Sequence, residues 1–249
     1  MPDEEFRHPR LAALYDVLDP DRSDLDAYVA IATELGARRV LDVGCGTGTL
    51  ALLLAERGCD VVAVDPAAAS LAVARAKPGA GAVRWVEGDA TGLTGADRGL
   101  AMDLDMDLAT LTGNAAQSIA EPREWAATLH GIRSALRPGG HLVLETRDPA
   151  ARAWEGWTRE ATLRTTDAPG VGAVTSWVEV TGVEGPLVGL RWTWVFAADG
   201  AVLTSDSALR FRGRDEVAAD LRAAGYEVTD VRGAADRPGR ELVFLARRP

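Results

Sequence analysis

The stretch VLDVGCGTGTLALLLAERGCDVVAVD, residues 40–65, decides the fold class of this chain. It has the pattern of an apolar strand, a loop with three glycines, a helix, a second apolar strand and a closing aspartate, Asp65. Several classes of nucleotide-using protein begin in this way. The sequence therefore raises one question first, which is whether the loop holds a dinucleotide pyrophosphate, a nucleoside triphosphate or a ligand without phosphate.

Length, composition and charge limit the possible functions. The chain has 249 residues, of which 47% are hydrophobic, and this predicts one α/β domain with an insertion. A net charge of −10 without a basic run argues against nucleic acid as a partner and favours a neutral or cationic small substrate. The sequence has no apolar run of about 18 residues and a polar, acidic N-terminus, so we expect a cytoplasmic protein without a membrane segment. Two isolated cysteines and three scattered histidines predict neither a disulfide framework nor a metal site.

The order of apolar segments predicts a doubly wound, mostly parallel, seven-stranded sheet of Rossmann-like type. Strand-like Val/Leu runs alternate with helical patterns between residues 38 and 148, as in sheets that are covered on both faces. Three later segments, with a turn at Asp199-Gly200, predict a three-stranded antiparallel insertion after the fifth strand. The expected division is an N-terminal helical cap, a ligand-binding core, the β insertion, and a closing helix with two strands: residues 1–37, 38–148, 149–212 and 213–249.

The middle strand of this insertion has an apolar face that must be covered. Trp192 and Trp194 lie two residues apart and therefore share that face. The main domain, a second copy of the chain or a substrate could cover it. The insertion is therefore a candidate lid or a candidate homodimer contact.

The side chains of the glycine loop separate its three possible ligands. A triphosphate loop needs a lysine after its last glycine, whereas Thr49 and Leu50 follow Gly48. The dinucleotide pattern G-x-G-x-x-G/A wants a small residue where Thr49 stands, which disfavours an NAD(P)-dependent oxidoreductase without excluding it. Asp42 places a carboxylate beside the loop, and this favours a cationic ligand over a pyrophosphate.

The loop and three later motifs together resemble the class I S-adenosylmethionine-dependent methyltransferases. VLDVGCGTGTLA resembles the family's loop for the methionine half of the cofactor, and Asp65 the acidic residue that accepts the ribose hydroxyls. Asp89-Ala90 resembles the adenine-reading pair, LTGNAAQ the fourth-strand motif, and ALRPGGHLVLE the approach to the fifth strand. Residues 91–105, where the family usually has a helix, read mostly as loop. The resemblance implies a cofactor site formed by Tyr15, Asp42, Gly44, Cys45, Gly46, Gly48, Asp65, Pro66, Asp89, Ala90, Leu111, Thr112, Gly113 and Gln117.

The resemblance also implies a reaction, namely in-line methyl transfer from S-adenosylmethionine to a small molecule, as in bacterial small-molecule methylation. Such a transfer depends mainly on alignment and exclusion of water. Asn114, after the fourth strand, is the candidate for orienting the acceptor, and Glu145 at the end of the fifth strand is the candidate acid or base. Trp154 and Trp157 are candidate pocket walls. A regulatory protein that binds the cofactor without turnover stays open as an alternative.

Overall fold

The chain forms two sheets. A computed structural model describes residues 3–94 and 104–249, so part of the predicted loop at 91–105 lies outside the described residues. The strands are β1 Arg39–Val43, β2 Asp60–Asp65, β3 Val83–Glu87, β4 Met106–Leu111, β5 Leu136–Arg147, β6 Arg164–Ala168, β7 Gly172–Glu184, β8 Leu187–Phe196, β9 Val202–Arg210, β10 Glu227–Gly233 and β11 Glu241–Arg247. The helices are α1 Glu4–Arg7, α2 Pro9–Ala12, α3 Tyr15–Leu18, α4 Asp26–Glu34, α5 Thr49–Glu56, α6 Ala68–Ala76, α7 Ala115–Ser118, α8 Pro122–Ala135, α9 Arg159–Thr162 and α10 Arg214–Ala223.

The larger sheet confirms the predicted fold class. Its strand order is β10-β11-β5-β4-β1-β2-β3, and only β11 runs antiparallel to its neighbours. Residues on both faces of the central strands are fully buried, among them Val40, Leu41, Leu108 and Val143, because helices cover both sides. The chain winds outward from β1 through β2 to β3 and then returns to β4. The resulting switch between β1 and β4 is where open α/β sheets bind their ligands.

The inserted sheet has four strands in the order β6-β7-β8-β9, so the prediction of three strands was wrong. The additional strand, Arg164–Ala168, is an edge strand of five residues with mostly polar, solvent-facing side chains. Such a segment lacks the apolar alternation by which a strand is recognised in a sequence. The predicted turn at Asp199-Gly200 is confirmed, since it joins β8 to β9 with Gly200 at a φ of 71°.

The chain's own N-terminal residues cover the tryptophan face of the insertion. Trp194 is 5% exposed and packs with Leu11, Leu14 and Phe196 in one apolar cluster. Trp192 stacks on Trp194 with a ring-centroid distance of 5.7 Å and is partly buried by the same cluster. Of the possible covers, the structure therefore shows the segment that contains α2 and α3. No helix among the residues described is long and apolar enough to cross a membrane.

Candidate cofactor and acceptor site

The glycine loop lies between β1 and α5, at the carboxyl edge of the larger sheet. Gly44, Gly46 and Gly48 all have left-handed backbones, with φ of 68°, 54° and 79°. A Cβ on Gly48 would lie 2.4 Å from the ring of Trp85, so this glycine is needed for packing. A Cβ on Gly46 would meet nothing within 4 Å. The loop is therefore packed tightly on its inner side and open at Gly46, where a ligand could approach the backbone.

Asp42 presents a buried carboxylate beneath this loop. Its side chain is 2% exposed, and its Oδ1 accepts a hydrogen bond of 2.8 Å from Thr110 Oγ1. Its Oδ2 is buried without a hydrogen-bond partner among the described residues. Burial raises the pKa of Asp42 to about 7, against a smaller lowering by Thr110. The free oxygen is therefore suited to a cationic donor, which would hold the group in its ionised form.

Asp65, at the end of β2, fastens the glycine loop to the sheet. Its Oδ2 accepts from the Gly46 N–H at 2.8 Å, and its Oδ1 accepts from the Ala67 N–H at 2.8 Å. Burial raises its pKa, while these two bonds lower it. A carboxylate has about four lone-pair positions, so each oxygen can accept a further hydroxyl. Pro66 follows on the surface, and α6 begins two residues later.

The turn after β3 is fixed by hydrogen bonds to Asp89 and by close packing of Ala90. Asp89 is exposed, and its Oδ1 accepts from the N–H groups of Thr91 and Gly92 at 2.8 and 3.3 Å. Ala90 is buried, and a Cβ on Gly131 of α8 would lie 1.9 Å from its carbonyl oxygen. This close approach fixes the turn against α8. The Asp89-Ala90 pair is thus positioned at the same edge of the sheet as Asp65.

The fourth-strand motif connects the ligand edge to β5 and β11. Leu111 is buried, and the carbonyl of Thr112 accepts from the N–H of Ala115 at the start of α7. A Cβ on Gly113 would meet open space. The N–H of Gly113 donates to Glu145 Oε2 at 2.9 Å. Asn114 has a left-handed φ of 61°, is 7% exposed, and donates from Nδ2 to Glu241 Oε1 at 3.2 Å. Asn114 and Glu145, predicted separately, thus belong to one cluster.

Glu145 and Glu241 form a buried carboxyl pair that sequence reasoning missed. They are 6% and 2% exposed and lie on the neighbouring strands β5 and β11. Burial first, and then contact with Glu241, raise the pKa of Glu145, whereas a bond from Tyr28 of α4 and the Gly113 N–H lower it. Arg237 donates to Glu241 Oε1 at 2.8 Å. Burial opposes ionisation of Glu241, but a hydrogen bond with Glu145 and the nearby Arg237 lower its pKa. The two environments therefore favour the proton on Glu145 and the negative charge on Glu241.

Buried polar atoms without partners gather at this edge of the sheet. Each costs about 1–3 kcal/mol when it is removed from water and left unpaired. They comprise two acceptors and one donor, and a ligand with complementary groups would satisfy them. The atoms are Asp42 Oδ2, Asn114 Oδ1 and Gln117 Nε2.

A hydrogen bond connects the N-terminal helix α3 to the outside of the glycine loop, and an ion pair connects the same helix to the end of α6. Tyr15 begins α3, packs against Phe6 at a ring-centroid distance of 5.9 Å, and has its pKa raised to about 12, chiefly by burial. The next residue, Asp16, accepts from Thr47 Oγ1 at 2.7 Å and forms an ion pair of 2.7 Å with Lys77. Sequence reasoning missed Asp16 and Lys77. The available signal was that Lys77 is the only lysine in the chain.

Aromatic side chains stand beyond the carboxyl pair. Trp154 packs edge-on against Phe211 at 4.5 Å, and Trp157 lies 6.1 Å from the same ring. The Arg147 guanidinium lies 5.3 Å from the Trp157 ring, while its Nη1 donates to Gln117 Oε1 at 2.9 Å. Trp154, Trp157 and Phe211 form an aromatic boundary near the end of β5, and the charged Arg147 lies between it and Gln117.

The described residues include no group of histidine, cysteine and acidic side chains able to hold a metal ion. Cys45 in the glycine loop is not a reactive thiol, because burial raises its pKa far above the usual value. Its position suits a small, uncharged side chain. The described side chains of the site offer hydrogen bonds, charge complementarity and carboxyl groups that can carry a proton.

Comparison with known proteins agrees with this geometry. Residues 40–140 match a family model described as a methyltransferase domain. A cypemycin N-terminal methyltransferase from a Streptomyces species is 40% identical over 126 residues, which cover 51% of this chain and 49% of the relative. The chain thus spans about half the length of the curated relatives that it matches.

Solved structures match over nearly the whole chain. An amino pentose methyltransferase from Micromonospora echinaspora, with S-adenosylmethionine bound, is 25% identical with a TM-score of 0.69, and the match covers 95% of this chain and 97% of that one. An S-adenosylmethionine-dependent methyltransferase from Clostridium acetobutylicum has a TM-score of 0.73 at 17% identity, covering 96% and 97%. The second likeness supports the fold.

Proposed function

We propose that this chain, whose residues 40–140 match a methyltransferase domain, is a class I S-adenosylmethionine-dependent methyltransferase that transfers a methyl group from that cofactor to a small-molecule acceptor. The observation that carries the proposal is the unpartnered Oδ2 of Asp42 beneath an open glycine loop. A buried carboxylate oxygen at this position demands a cationic donor, and S-adenosylmethionine brings both an ammonium and a sulfonium. A dinucleotide would bring a pyrophosphate, which the carboxylate would repel.

The donor set fits the proposed cofactor. The loop backbone around Gly44, Cys45, Gly46 and Gly48 would lie against the methionine half, and Asp42 would face its charge. Asp65 has free lone pairs for two ribose hydroxyls. Further along the edge, the proposed adenine and sulfonium contacts are Pro66, Asp89, Ala90, Leu111, Thr112, Gly113 and Gln117.

The cofactor, when bound, supplies a methyl group already activated by a sulfonium leaving group. The residues of this chain then have to align the acceptor, exclude water and manage its proton. In this proposal Asn114 orients the acceptor and Glu145 is the acid or base, since both lie in the cluster at the ends of β4 and β5. Residues 1–37 act as a cap that excludes water, because α3 is bonded to the loop through Asp16.

We propose that the rest of the carboxyl edge of the larger sheet binds a small-molecule acceptor. The amino pentose methyltransferase is similar along its whole length, and the inserted sheet of this chain stands beside the aromatic boundary at Trp154 and Trp157. The net charge of −10 favours a neutral or cationic acceptor over nucleic acid. A homodimer through the inserted sheet and a cytoplasmic location stay predictions from the sequence.

Calorimetric titration of the purified chain tests the cofactor assignment. We expect saturable binding of S-adenosylhomocysteine with one site per chain and no binding of NAD at the same concentrations. Binding of NAD alone would overturn the proposal in favour of an oxidoreductase. Methyl transfer from labelled S-adenosylmethionine across a panel of amines, alcohols and carboxylates then separates an enzyme from a binding protein without turnover.

A further inference from the structure

The one-turn helix α7 carries side chains with unsatisfied polar atoms at the carboxyl edge of the larger sheet. Asn114 immediately precedes the helix and is 7% exposed, and Gln117 within it is fully buried. Asn114 Oδ1 and Gln117 Nε2 have no hydrogen-bond partner among the described residues. Because α7 spans only Ala115–Ser118, it has too few internal hydrogen bonds to hold its position alone. Its neighbours therefore set its place.

Arg212, which follows β9, holds the end of this helix. Its Nη1 donates to the carbonyl of Ala116 at 3.1 Å, and its Nη2 donates to the carbonyl of Ile119 at 2.6 Å. A guanidinium presents these donors in a rigid planar fork, so the two bonds fix both the position and the orientation of the turn. The Arg212 side chain is 2% exposed, and its guanidinium lies 4.4 Å from the Trp125 ring.

The burial of this guanidinium has a physical cost. Burial lowers the pKa of Arg212 to about 10, and the nearby Arg210 adds to this lowering against the opposing effect of Glu216 and Asp220. At neutral pH the group therefore stays charged. An apolar side chain would fill the same space without the cost of burying a charge. The need of α7 for two donors explains why a charged side chain occupies this position.

Arg212 also connects α7 to the inserted sheet. Phe211 stands between it and the last residue of β9. The Phe211 ring is 3% exposed and packs edge-on against Trp154 at 4.5 Å, so it is fixed within the aromatic boundary. Two consecutive residues therefore tie the aromatic boundary to α7.

From these contacts we infer that Arg212 is a positioning residue, which holds α7 so that Asn114 and Gln117 reach the bound cofactor and acceptor. This inference rests on the proposed function, because it assigns α7 to that ligand site. Arg212 acts on the ligands only through the main chain of α7 and Ile119. Loss of its two bonds would leave both carbonyls unpaired and let the turn move together with its side chains.

Binding of S-adenosylhomocysteine to Arg212→Ala tests the inference. We expect the Kd to rise about tenfold or more, because Gln117 is a proposed cofactor contact that moves with α7. Added guanidinium at millimolar concentration should restore the affinity. The substitution leaves a space that joins a cavity of about 150 Å³ beside Arg212, and the exposed His130 lies at the rim of this cavity. A small cation can therefore enter and donate to the same two carbonyls.

Arg248→Ala is the matched control. Arg248 Nη1 donates to the carbonyl of Arg133 at 2.9 Å, so this arginine also holds the end of a helix, α8, but at the opposite edge of the larger sheet. Thermal unfolding should show that both variants lose stability. The Kd for S-adenosylhomocysteine should be the same in Arg248→Ala as in the unmodified chain, and guanidinium should change neither value.

Arg212→Lys separates the fork from the charge. It keeps the charge and most of the stem, but an ammonium cannot serve both carbonyls from one plane, so we expect a smaller loss of affinity. If Arg212→Ala does not fold, unchanged affinity in Arg212→Lys would overturn the inference. An unchanged Kd in folded Arg212→Ala, a loss that guanidinium does not reverse, or an equal loss in Arg248→Ala would also overturn it. Absence of S-adenosylhomocysteine binding by the unmodified chain would instead overturn the proposed function.

Discussion

Asp16 and Lys77 lie 2.7 Å apart, and this ion pair joins the N-terminal cap to the end of α6 across the glycine loop. Lys77 also donates to Thr49 Oγ1 at 3.0 Å, while Asp16 accepts from Thr47. The cap and the loop therefore share one polar network. Because the side chains of Lys77 and Asp16 are 23% and 29% exposed, solvent weakens but does not abolish the interaction.

Substitution Lys77→Met should loosen the cap over the bound cofactor. A partly exposed pair contributes about 0.5–1 kcal/mol, so we expect S-adenosylhomocysteine to dissociate about two- to fivefold faster. Stopped-flow measurement of its release checks this. Arg247→Met is the matched control, since it breaks the Arg247–Glu227 pair between β11 and β10. An unchanged release rate in Lys77→Met would show that the pair does not hold the cap closed.

Asp65→Asn should weaken cofactor binding by about 10- to 100-fold. Hydrogen bonds to a charged group are worth about 1.5–3 kcal/mol, and the amide presents a donor where the Gly46 N–H or a ribose hydroxyl needs an acceptor. Asp60→Asn, at the exposed start of the same strand, should leave the affinity unchanged. Calorimetric Kd values for S-adenosylhomocysteine measure both. Equal affinity of Asp65→Asn and the unmodified chain would remove Asp65 from the cofactor site.

Asp42 should make cofactor affinity depend on pH. Its pKa in the empty chain is raised to about 7 from 3.8, so the group carries a proton below about pH 7 and attracts a cation only above it. Affinity for S-adenosylhomocysteine should therefore fall as the pH decreases through this value. Thr110→Val removes a hydrogen bond that lowers the pKa, and should move the midpoint upward. If Asp42→Asn showed the same pH dependence of S-adenosylhomocysteine affinity as the unmodified chain, another group would be responsible for it.

The same burial should destabilise the empty chain at high pH. The folded state binds more protons than the unfolded state between about pH 4 and 7, so the contribution of Asp42 to stability falls as the pH rises through that window. Asp42→Asn should thus stabilise the empty chain at pH 8 by up to roughly 4 kcal/mol, because each pH unit of pKa difference corresponds to about 1.4 kcal/mol. Denaturant unfolding at both ends of the window measures the gain. A destabilised Asp42→Asn chain at pH 8 would contradict the prediction.

Gly48→Ala should mainly destabilise the fold, whereas Gly46→Ala should mainly weaken cofactor binding. Gly48→Ala places a Cβ 2.4 Å from the Trp85 ring and should destabilise the fold by several kcal/mol. The Cβ of Gly46→Ala meets open space, so the substitution should destabilise the fold only by the strain of a left-handed alanine backbone, about 1–2 kcal/mol. Its methyl group nevertheless enters the space proposed for the ligand. Thermal unfolding and S-adenosylhomocysteine titration of both variants give the comparison. A folded Gly46→Ala with full affinity would place the cofactor elsewhere.

The sequence determined the fold class because the evidence for it is local. The Val/Leu runs of β1 and β2, the glycine loop and Asp65 all lie within 26 consecutive residues, and periodicity with turn chemistry is enough to order them. The polar edge strand β6 escaped this reasoning because it carries no apolar pattern. The residues expected at strand ends also came from local motifs.

Only the tertiary structure decided which distant side chains meet. Glu145 and Glu241 are separated by 96 residues, and they meet as a buried carboxyl pair because β11 lies antiparallel beside β5. Likewise, the segment containing α2 and α3 covers Trp192 and Trp194. The sequence alone could not distinguish this cover from a second copy of the chain or a substrate. Burial and contact set the pKa values and the unpartnered atoms, and neither is a property of a residue in isolation.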